Sequence, residues 1–406
     1  MKTTTKMEKV LSVVVPAYSD ISVVRNSIVS LATQWIPKDS FLLEILIVND
    51  NPEQDYSYFV SESFARIMSE NVIINIICNK ENYGQGISRQ IGIDNAMSNW
   101  VLLCDEDDMY APNALYRFWE ILNEQHCGGE DGKPVALMSA PLYSFDIEKN
   151  RKIIDAKSIW VNAKLYNRQF LRDNQIAFPT GKNSHRSEDY PFAKMVDYAI
   201  ENNSNYKRID FDNSADTFYY WIPNLKSRTH IDKFYTALLT PFTMNSSCMI
   251  IEYYKWYNNY HNIVKEKDEF MKIEILNMNV YAYYNYLNWL RDMSLGWKDD
   301  EKCLEEDWEL YKSVLKKLKG ELMEYWNEIV PSDIYEMLTK VKNFSDVRFV
   351  ESWIGSFENW IENEHNTLNM SFAEIKKYCS KLKFDEANHE IHSSYVKAWI
   401  KRHQEN

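Results

Sequence analysis

The stretch Trp100-Val-Leu-Leu-Cys-Asp105-Glu106-Asp107-Asp108-Met-Tyr110 decides the fold predicted for this chain. Its apolar residues favour a buried strand, and four consecutive acids follow where that strand should end. Open α/β sheets bind ligands at the carboxyl ends of their strands, so the acids are expected at a binding edge. Clustered carboxylates repel one another unless a cation or hydrogen-bond donors compensate. The acids therefore indicate a divalent metal that carries a phosphate-bearing substrate, with a solvated acidic turn before a helix as the alternative.

Strand and helix patterns alternate before this stretch. Apolar runs bounded by turn residues predict three strands, at 10–15, 43–48 and 72–77. Pro16 cannot donate to a ladder and is expected to end the first of them. Apolar residues at helical spacing predict three helices, at 21–35, 58–68 and 87–98. Such alternation is typical of a parallel sheet with right-handed crossovers, so the predicted fold class is α/β with a Rossmann-like, mostly parallel central sheet.

The length of 406 residues exceeds one ordinary domain and predicts two. From about residue 231 glycine nearly vanishes and helical patterns take over, so we expect domains at 1–232 and 233–406, the second all-helical. Its predicted helices lie at 252–260, 281–290, 308–329, 334–341, 347–363 and 371–382. Aromatic residues at helical spacing are usually core, and the functional alternative is an acceptor-binding or dimer-forming surface. A homo-oligomer formed through the helical domain is therefore one expectation.

Charge and composition narrow the function classes. The formal net charge of −13 disfavours nonspecific nucleic-acid binding without excluding it. Six scattered cysteines form no CxxC pair, and the eight histidines show no ligand spacing, which argues against a zinc site. The N-terminus lacks the apolar region of a signal peptide, and no apolar run reaches the roughly 20 residues that span a bilayer. The expectation is a cytoplasmic protein without a transmembrane segment.

A second motif follows the third predicted strand: Asn82-Tyr-Gly84-Gln-Gly86-Ile-Ser88-Arg89-Gln90-Ile-Gly92. Its first two glycines permit close backbone approach, and Arg89 lies on the first turns of a helix whose N-terminus attracts anions. The motif is compatible with a phosphate site. A helix start with an exposed arginine is the alternative.

Four motifs together resemble those of family 2 nucleotide-sugar glycosyltransferases with the GT-A fold. They are, in chain order, Val13-Val-Val-Pro-Ala-Tyr18, Val48-Asn-Asp50-Asn, Asn82-x-Gly-x-Gly-x-Ser-Arg89-Gln-x-Gly92 and Leu103-Cys-Asp105-Glu-Asp107-Asp108. Each is loose alone, but their order matches the predicted strands and helices. The resemblance covers roughly the first 230 residues, the size of one large domain.

The resemblance implies a nucleotide-sugar site. The loop Pro16, Ala17 and Tyr18 would hold the base, and Asp50 would accept a hydrogen bond from base or ribose. Gly84 and Arg89 would face the diphosphate, where a guanidinium matches phosphate oxygens. Asp105 and Glu106 complete the predicted donor site. The chain has Asn49 where the family usually has Asp, and Gln90 where it commonly has Asn, so base identity stays open.

The resemblance also implies a metal. Asp105-x-Asp107 is similar to the family's DxD motif, in which Asp107 would coordinate the metal and Asp105 would contact ribose or metal. Mg²⁺ and Mn²⁺ both accept such oxygen ligands, so either ion is expected. The segment after the strand predicted at 216–221 resembles a basic loop that closes over the diphosphate, with Arg228 and His230 as candidates. His230 is also a candidate metal ligand.

Ser187-Glu188-Asp189-Tyr190 resembles the family's Glu-Asp pair near a helix N-terminus, although such acids also cap helices. In that role Asp189 is the general base and Glu188 its orienting partner or an acceptor ligand. The predicted function is an inverting, metal-dependent hexosyltransferase-type reaction. A nucleotide-diphosphate sugar, with UDP-sugar favoured, donates to a hydroxyl of a glycan or cell-surface polymer. The alternatives are transfer to a modified DNA base, or an inactive nucleotide- or carbohydrate-binding protein of the same fold.

Overall fold

The computed structural model describes residues 9–126, 132–145, 151–158, 160–180, 188–203, 205–212, 218–222, 253–260, 275–276, 278–279, 301–324, 326 and 367–381. They belong to two compact units, Met1–Leu225 and Lys226–Asn406. The domain limits 1–232 and 233–406 stay a prediction.

The first unit contains two sheets. Its strands are β1 Val10–Ala17, β2 Leu42–Asn49, β3 Val72–Cys78, β4 Trp100–Leu103, β5 Met109–Tyr110, β6 Val135–Ser139, β7 Leu142–Phe145, β8 Arg151–Ile154, β9 Lys164–Asn167, β10 Lys207–Asp210 and β11 Tyr219–Trp221. Seven strands form the larger sheet in the order β10-β6-β9-β4-β1-β2-β3, and four form the smaller one in the order β5-β11-β7-β8. Within the described residues, β9 alone pairs antiparallel in the larger sheet.

Helices connect these strands. They are α1 Ile21–Ala32, α2 Glu62–Ala65, α3 Gln85–Asn95, α4 Ala114–His126, α5 Arg168–Asp173 and α6 Asp189–Glu201. The central strands β1, β2 and β4 are buried along nearly their whole length, as expected for parallel strands with helices on both faces. The predicted α/β class with a mostly parallel sheet is confirmed.

Several element bounds differ from the prediction, and two of the differences have a local cause. β1 continues through Pro16, which pairs with Val48, because proline lacks only the N–H and the next carbonyl still joins the ladder. The Ala17 carbonyl accepts from the Asp50 N–H at 2.7 Å. The single helix predicted over 58–68 is a 3-10 turn, Ser57–Val60, followed by α2. Ser61 breaks it, since its side chain accepts from the Phe64 N–H and caps a new helix.

Gly92 brings α3 close to the sheet. A Cβ added at Gly92 would lie 2.1 Å from Cγ1 of Val14, so only glycine permits this approach. The contact fixes α3 against the middle of β1. Arg89, one turn earlier on α3, is thereby held at the carboxyl edge of the sheet.

The described part of the second unit is helical. It contains α7 Glu301–Met323, α8 Phe372–Cys379, a 3-10 turn Thr367–Asn369 and helical residues at 253–260. The aromatic residues at 253–260 are buried, which favours the core interpretation of that stripe. The helices predicted at 281–290, 334–341 and 347–363 lie outside the described residues. None of the helices described in either unit is long and apolar enough to cross a bilayer.

Candidate active site

The carboxyl ends of β1, β2 and β4 bring three predicted segments to one edge of the sheet. Tyr18 follows β1, Asp50 follows β2, and the acids Asp105 to Asp108 follow β4. The parallel pairing of β1 with both β2 and β4 makes these segments neighbours. This is the edge at which open α/β sheets bind ligands.

Asp50 organises the loop that precedes α3. One carboxylate oxygen accepts from Asn79 Nδ2 at 2.8 Å and from the Tyr83 N–H at 2.9 Å, and the other accepts from the Gly84 N–H at 2.8 Å. Gly84 has φ of 87°, a left-handed conformation that favours glycine. Asp50 is buried and both of its oxygens are engaged with the protein, so contact with a base or ribose stays a prediction.

Glu106 fixes the loop between β1 and α1. Its carboxylate accepts from the backbone N–H of Tyr18 at 2.7 Å, the N–H of Ser19 at 2.9 Å and the Ser19 hydroxyl at 2.5 Å. Burial raises the pKa of Glu106, although these hydrogen bonds act in the opposite direction. The loop leaves the Tyr18 side chain 50% exposed. The sequence did not predict this structural role of Glu106, because its partners lie almost 90 residues earlier in the chain.

Arg89 joins the two acidic motifs. Its Nη2 donates to Asp105 Oδ1 at 2.7 Å, and its Nη1 donates to Glu188 Oε1 at 2.7 Å and to Asp189 Oδ1 at 2.8 Å. Glu188 and Asp189 lie 99 and 100 residues further along the chain. The ring of Phe178 lies 5.6 Å from the guanidinium carbon. The predicted donor-site acid and the predicted base therefore share one guanidinium group.

Burial sets the electrostatics of this cluster. Arg89 is 1% exposed. Burial opposes its charge, but the carboxylates of Asp189, Asp105 and Glu188 together raise the pKa of Arg89 well above its usual value. Burial raises the pKa of Asp189 to about 7, with Arg89 opposing the shift and the nearby acids adding to it. The Asp189 side chain is still 33% exposed, so it can meet a ligand. Arg89 thus holds the carboxylates in place, and its predicted contact with a diphosphate stays a prediction.

Asp105 has protein donors on both oxygens. Oδ1 accepts from Arg89 and from Gln85 Nε2 at 3.0 Å, while Oδ2 accepts from Asn162 Nδ2 at 2.9 Å. Asn162 is buried and precedes β9, the strand beside β4. Sequence reasoning missed Asn162, because nothing local marks an amide 57 residues away as a partner.

The predicted metal ligands give a sparse donor set. Asp107 is half-buried on the turn after β4, and no three His, Cys, Asp or Glu side chains in the described ranges form a metal-binding group. One or two carboxylates are nevertheless enough for Mg²⁺ when substrate phosphates supply further oxygens. The residues therefore fit a cation brought together with a phosphate. Arg228 and His230 lie outside the described residues.

Comparison with known proteins shows similarity to glycosyltransferases. Residues 12–189 match the sequence model of Glycosyl transferase family 2. A poly(ribitol-phosphate) beta-glucosyltransferase from Bacillus spizizenii is 25% identical over 217 residues, which cover 52% of this chain and 32% of that protein. The probable glycosyltransferase YdaM from Bacillus subtilis is 28% identical over 126 residues, which cover 30% of this chain and 29% of that protein. The matched region thus spans about a third of the length of these curated relatives.

A solved structure supports the fold. The S. aureus TarS fragment 1-349, crystallised with UDP-GlcNAc, matches with a TM-score of 0.50 at 16% identity, covering 88% of this chain and 92% of that chain. With the seven-stranded sheet, this likeness makes the first unit GT-A-like. Residues 12–189 of the first unit thus match the family that the motifs resemble, Glycosyl transferase family 2.

Proposed function

We propose that this protein transfers a sugar, with inversion, from a nucleotide-diphosphate sugar to an acceptor hydroxyl. The Arg89 cluster carries the proposal, because it holds the acid after β4 and the Asp189 carboxyl within 2.8 Å of one guanidinium group. An inverting transfer needs a stabilised leaving group and a general base in one site. Because Asp189 lies 100 residues after Arg89 in the chain, their contact is best explained by a shared functional site.

The donor would lie along the edge formed by the ends of β1, β2 and β4. Tyr18 offers a half-exposed ring on which a nucleotide base can stack. UDP-sugars are favoured because the TarS fragment of similar fold was crystallised with UDP-GlcNAc. The name of the Bacillus spizizenii relative suggests a hydroxyl-bearing polymer, such as a polyol-phosphate chain, as one acceptor class.

A divalent cation, Mg²⁺ or Mn²⁺, would neutralise charge on the leaving diphosphate when bound. Asp107 is the leading candidate to hold it, since it matches the metal position of the DxD motif and lies half-buried on the turn after β4. Both oxygens of Asp105 accept from protein donors. Asp105 would then serve mainly to orient Arg89 and the turn. His230 remains a proposed additional ligand and Arg228 a proposed diphosphate contact.

Asp189 would remove the proton of the acceptor hydroxyl as that oxygen attacks the sugar. Its pKa of about 7 places a useful fraction of the carboxyl in the deprotonated form near neutrality. Glu188 is buried and shares the same Arg89 nitrogen, so it acts by positioning Arg89 and the base. A positioned base of this kind contributes about 10² to 10⁴ in rate.

The test compares Asp189→Asn with Asp197→Asn, a matched change on the same helix whose carboxyl bonds Arg208 instead. Both variants and the native protein are assayed for nucleoside diphosphate release from a panel of nucleotide sugars, with Mn²⁺ and a polyol-phosphate polymer as acceptor. We expect Asp189→Asn to lose about 10² or more in rate and Asp197→Asn to remain within about threefold. NMR of the product should show an inverted anomeric centre. Full activity in Asp189→Asn, or retention of configuration, would disprove the mechanism.

A further inference from the structure

The fourth acid of the run, Asp108, plays a different part from its neighbours. Its side chain is 0% exposed. Oδ2 accepts from the Tyr219 hydroxyl at 2.7 Å and Oδ1 accepts from the Ile222 N–H at 2.8 Å. Both oxygens are therefore bound to β11 and the residue after it. A carboxylate held in this way is turned away from a ligand at the sheet edge.

The Tyr219 hydroxyl joins the two ends of the acidic turn. While donating to Asp108, it accepts from the backbone N–H of Asp105 at 3.1 Å. A further bond closes the turn itself, from the Asp108 N–H to the Asp105 carbonyl at 3.1 Å. One phenol oxygen thus fixes the first and last residues of a four-residue turn, and Asp107 lies between them.

The Tyr219 ring is itself firmly placed. It packs edge to face on Tyr110, with ring centroids 4.8 Å apart, and these two residues face each other in the antiparallel pairing of β11 with β5. The Tyr110 hydroxyl donates to the Leu103 carbonyl at 2.9 Å. Tyr110 is therefore equally buried and hydrogen-bonded, yet its hydroxyl bonds to β4 and not to an acid of the turn.

We propose that Tyr219 and Asp108 are positioning residues that fix the direction of the Asp107 carboxylate and thereby set the affinity for the catalytic cation. The inference rests on the proposed metal role of Asp107. Groups that hydrogen-bond to a metal ligand and orient it typically change metal affinity by about 10- to 100-fold when removed. Losing the Tyr219 hydroxyl removes the hydrogen bonds to the Asp105 amide and to one Asp108 oxygen together. The turn then keeps only the bond from the Ile222 N–H to the other Asp108 oxygen on this side.

The experiment compares Tyr219→Phe with Tyr110→Phe, which removes a buried hydroxyl from the other ring of the same pair. Mn²⁺ binding to the full chain is measured by calorimetry with saturating UDP, and urea unfolding reports stability. We expect Tyr219→Phe to weaken Mn²⁺ binding about 10- to 100-fold, with the rate largely restored at high Mn²⁺. Tyr110→Phe should stay within about threefold of the native protein, whatever its loss of stability.

Two results overturn the inference and are distinguishable. If the native protein binds no Mn²⁺ with UDP present, the proposed metal role fails, and this inference fails with it. If the native protein binds Mn²⁺ and Tyr219→Phe binds it equally well, or both phenylalanine variants weaken it equally, only the positioning role fails. Should Tyr219→Phe not fold, Asp108→Asn carries the same test, with the same expected weakening and the same refuting result.

Discussion

Replacing Arg89 with Met removes the one guanidinium group that Asp105, Glu188 and Asp189 share. Their contacts with it are 2.7, 2.7 and 2.8 Å long, and Arg89 is almost fully buried. Removing one partner of a buried ion pair costs about 3 to 5 kcal/mol, because the remaining charges stay buried without compensation. The more exposed Asp189 softens this loss, while Glu188 is nearly inaccessible to water. We expect a loss of about 3 to 5 kcal/mol in the free energy of unfolding at pH 8.

The loss should depend on pH in a defined direction. Without the cation, protonation relieves repulsion among the remaining carboxylates, so acid stabilises the variant relative to the native protein. The difference between the two proteins should therefore be largest at pH 8 and smaller at pH 5.5. Urea unfolding followed by tryptophan fluorescence at both pH values measures it. Arg208→Met is the control, because Arg208 also bonds two carboxylates but is 17% exposed.

The control should lose only about 1 kcal/mol, since solvent screens partly exposed pairs. A loss in Arg89→Met below 1 kcal/mol, an equal loss at pH 8 and pH 5.5, or an equal loss in Arg208→Met would refute the account. Each of these results would mean that Arg89 does not compensate the charge of the cluster.

Three further predictions follow from single groups. Asp189 must lose its proton to act as a base, and burial raises its pKa to about 7. The logarithm of kcat/KM for donor turnover should therefore rise with pH up to about 7 and then stay constant. A profile that is flat from pH 5.5 to 8.5 would contradict this role. Burial lowers the pKa of Lys164 from its ordinary 10.5 to about 8, so native stability is lost as pH falls from 10.5 towards 8. At pH 7 Lys164→Met should therefore gain up to about 3 kcal/mol in urea unfolding, and the gain should shrink at pH 10.5. Gly92→Ala should lower the stability of the protein by about 1 to 3 kcal/mol, because the new Cβ clashes with Val14. Gly320→Ala, whose Cβ meets nothing within 4 Å, should instead stabilise α7 by about 0.5 to 1 kcal/mol. Equal thermal shifts in the two variants would contradict the packing argument.

The sequence by itself determined the succession of strands and helices from β1 to β4. Buried parallel strands are continuous apolar runs, and helices show a 3.6-residue apolar period, so both are visible locally. The acids after β4 and the Glu-Asp pair at the start of α6 were likewise recognisable, because residue type and order carry the motif. The break at Ser61 was missed, since a capping serine does not interrupt the apolar pattern on either side.

Only the tertiary structure decided which groups meet. The sequence predicted that Arg89 contacts a phosphate. In the fold three carboxylates surround Arg89, and two of them lie about a hundred residues further along the chain. The sequence presented a run of four acids, and in the fold Glu106 binds the loop after β1 while Asp108 accepts from Tyr219. A carboxylate's role depends on which donors and charges lie within a few ångströms of it. Those neighbours come from distant segments, and chain order alone does not reveal them.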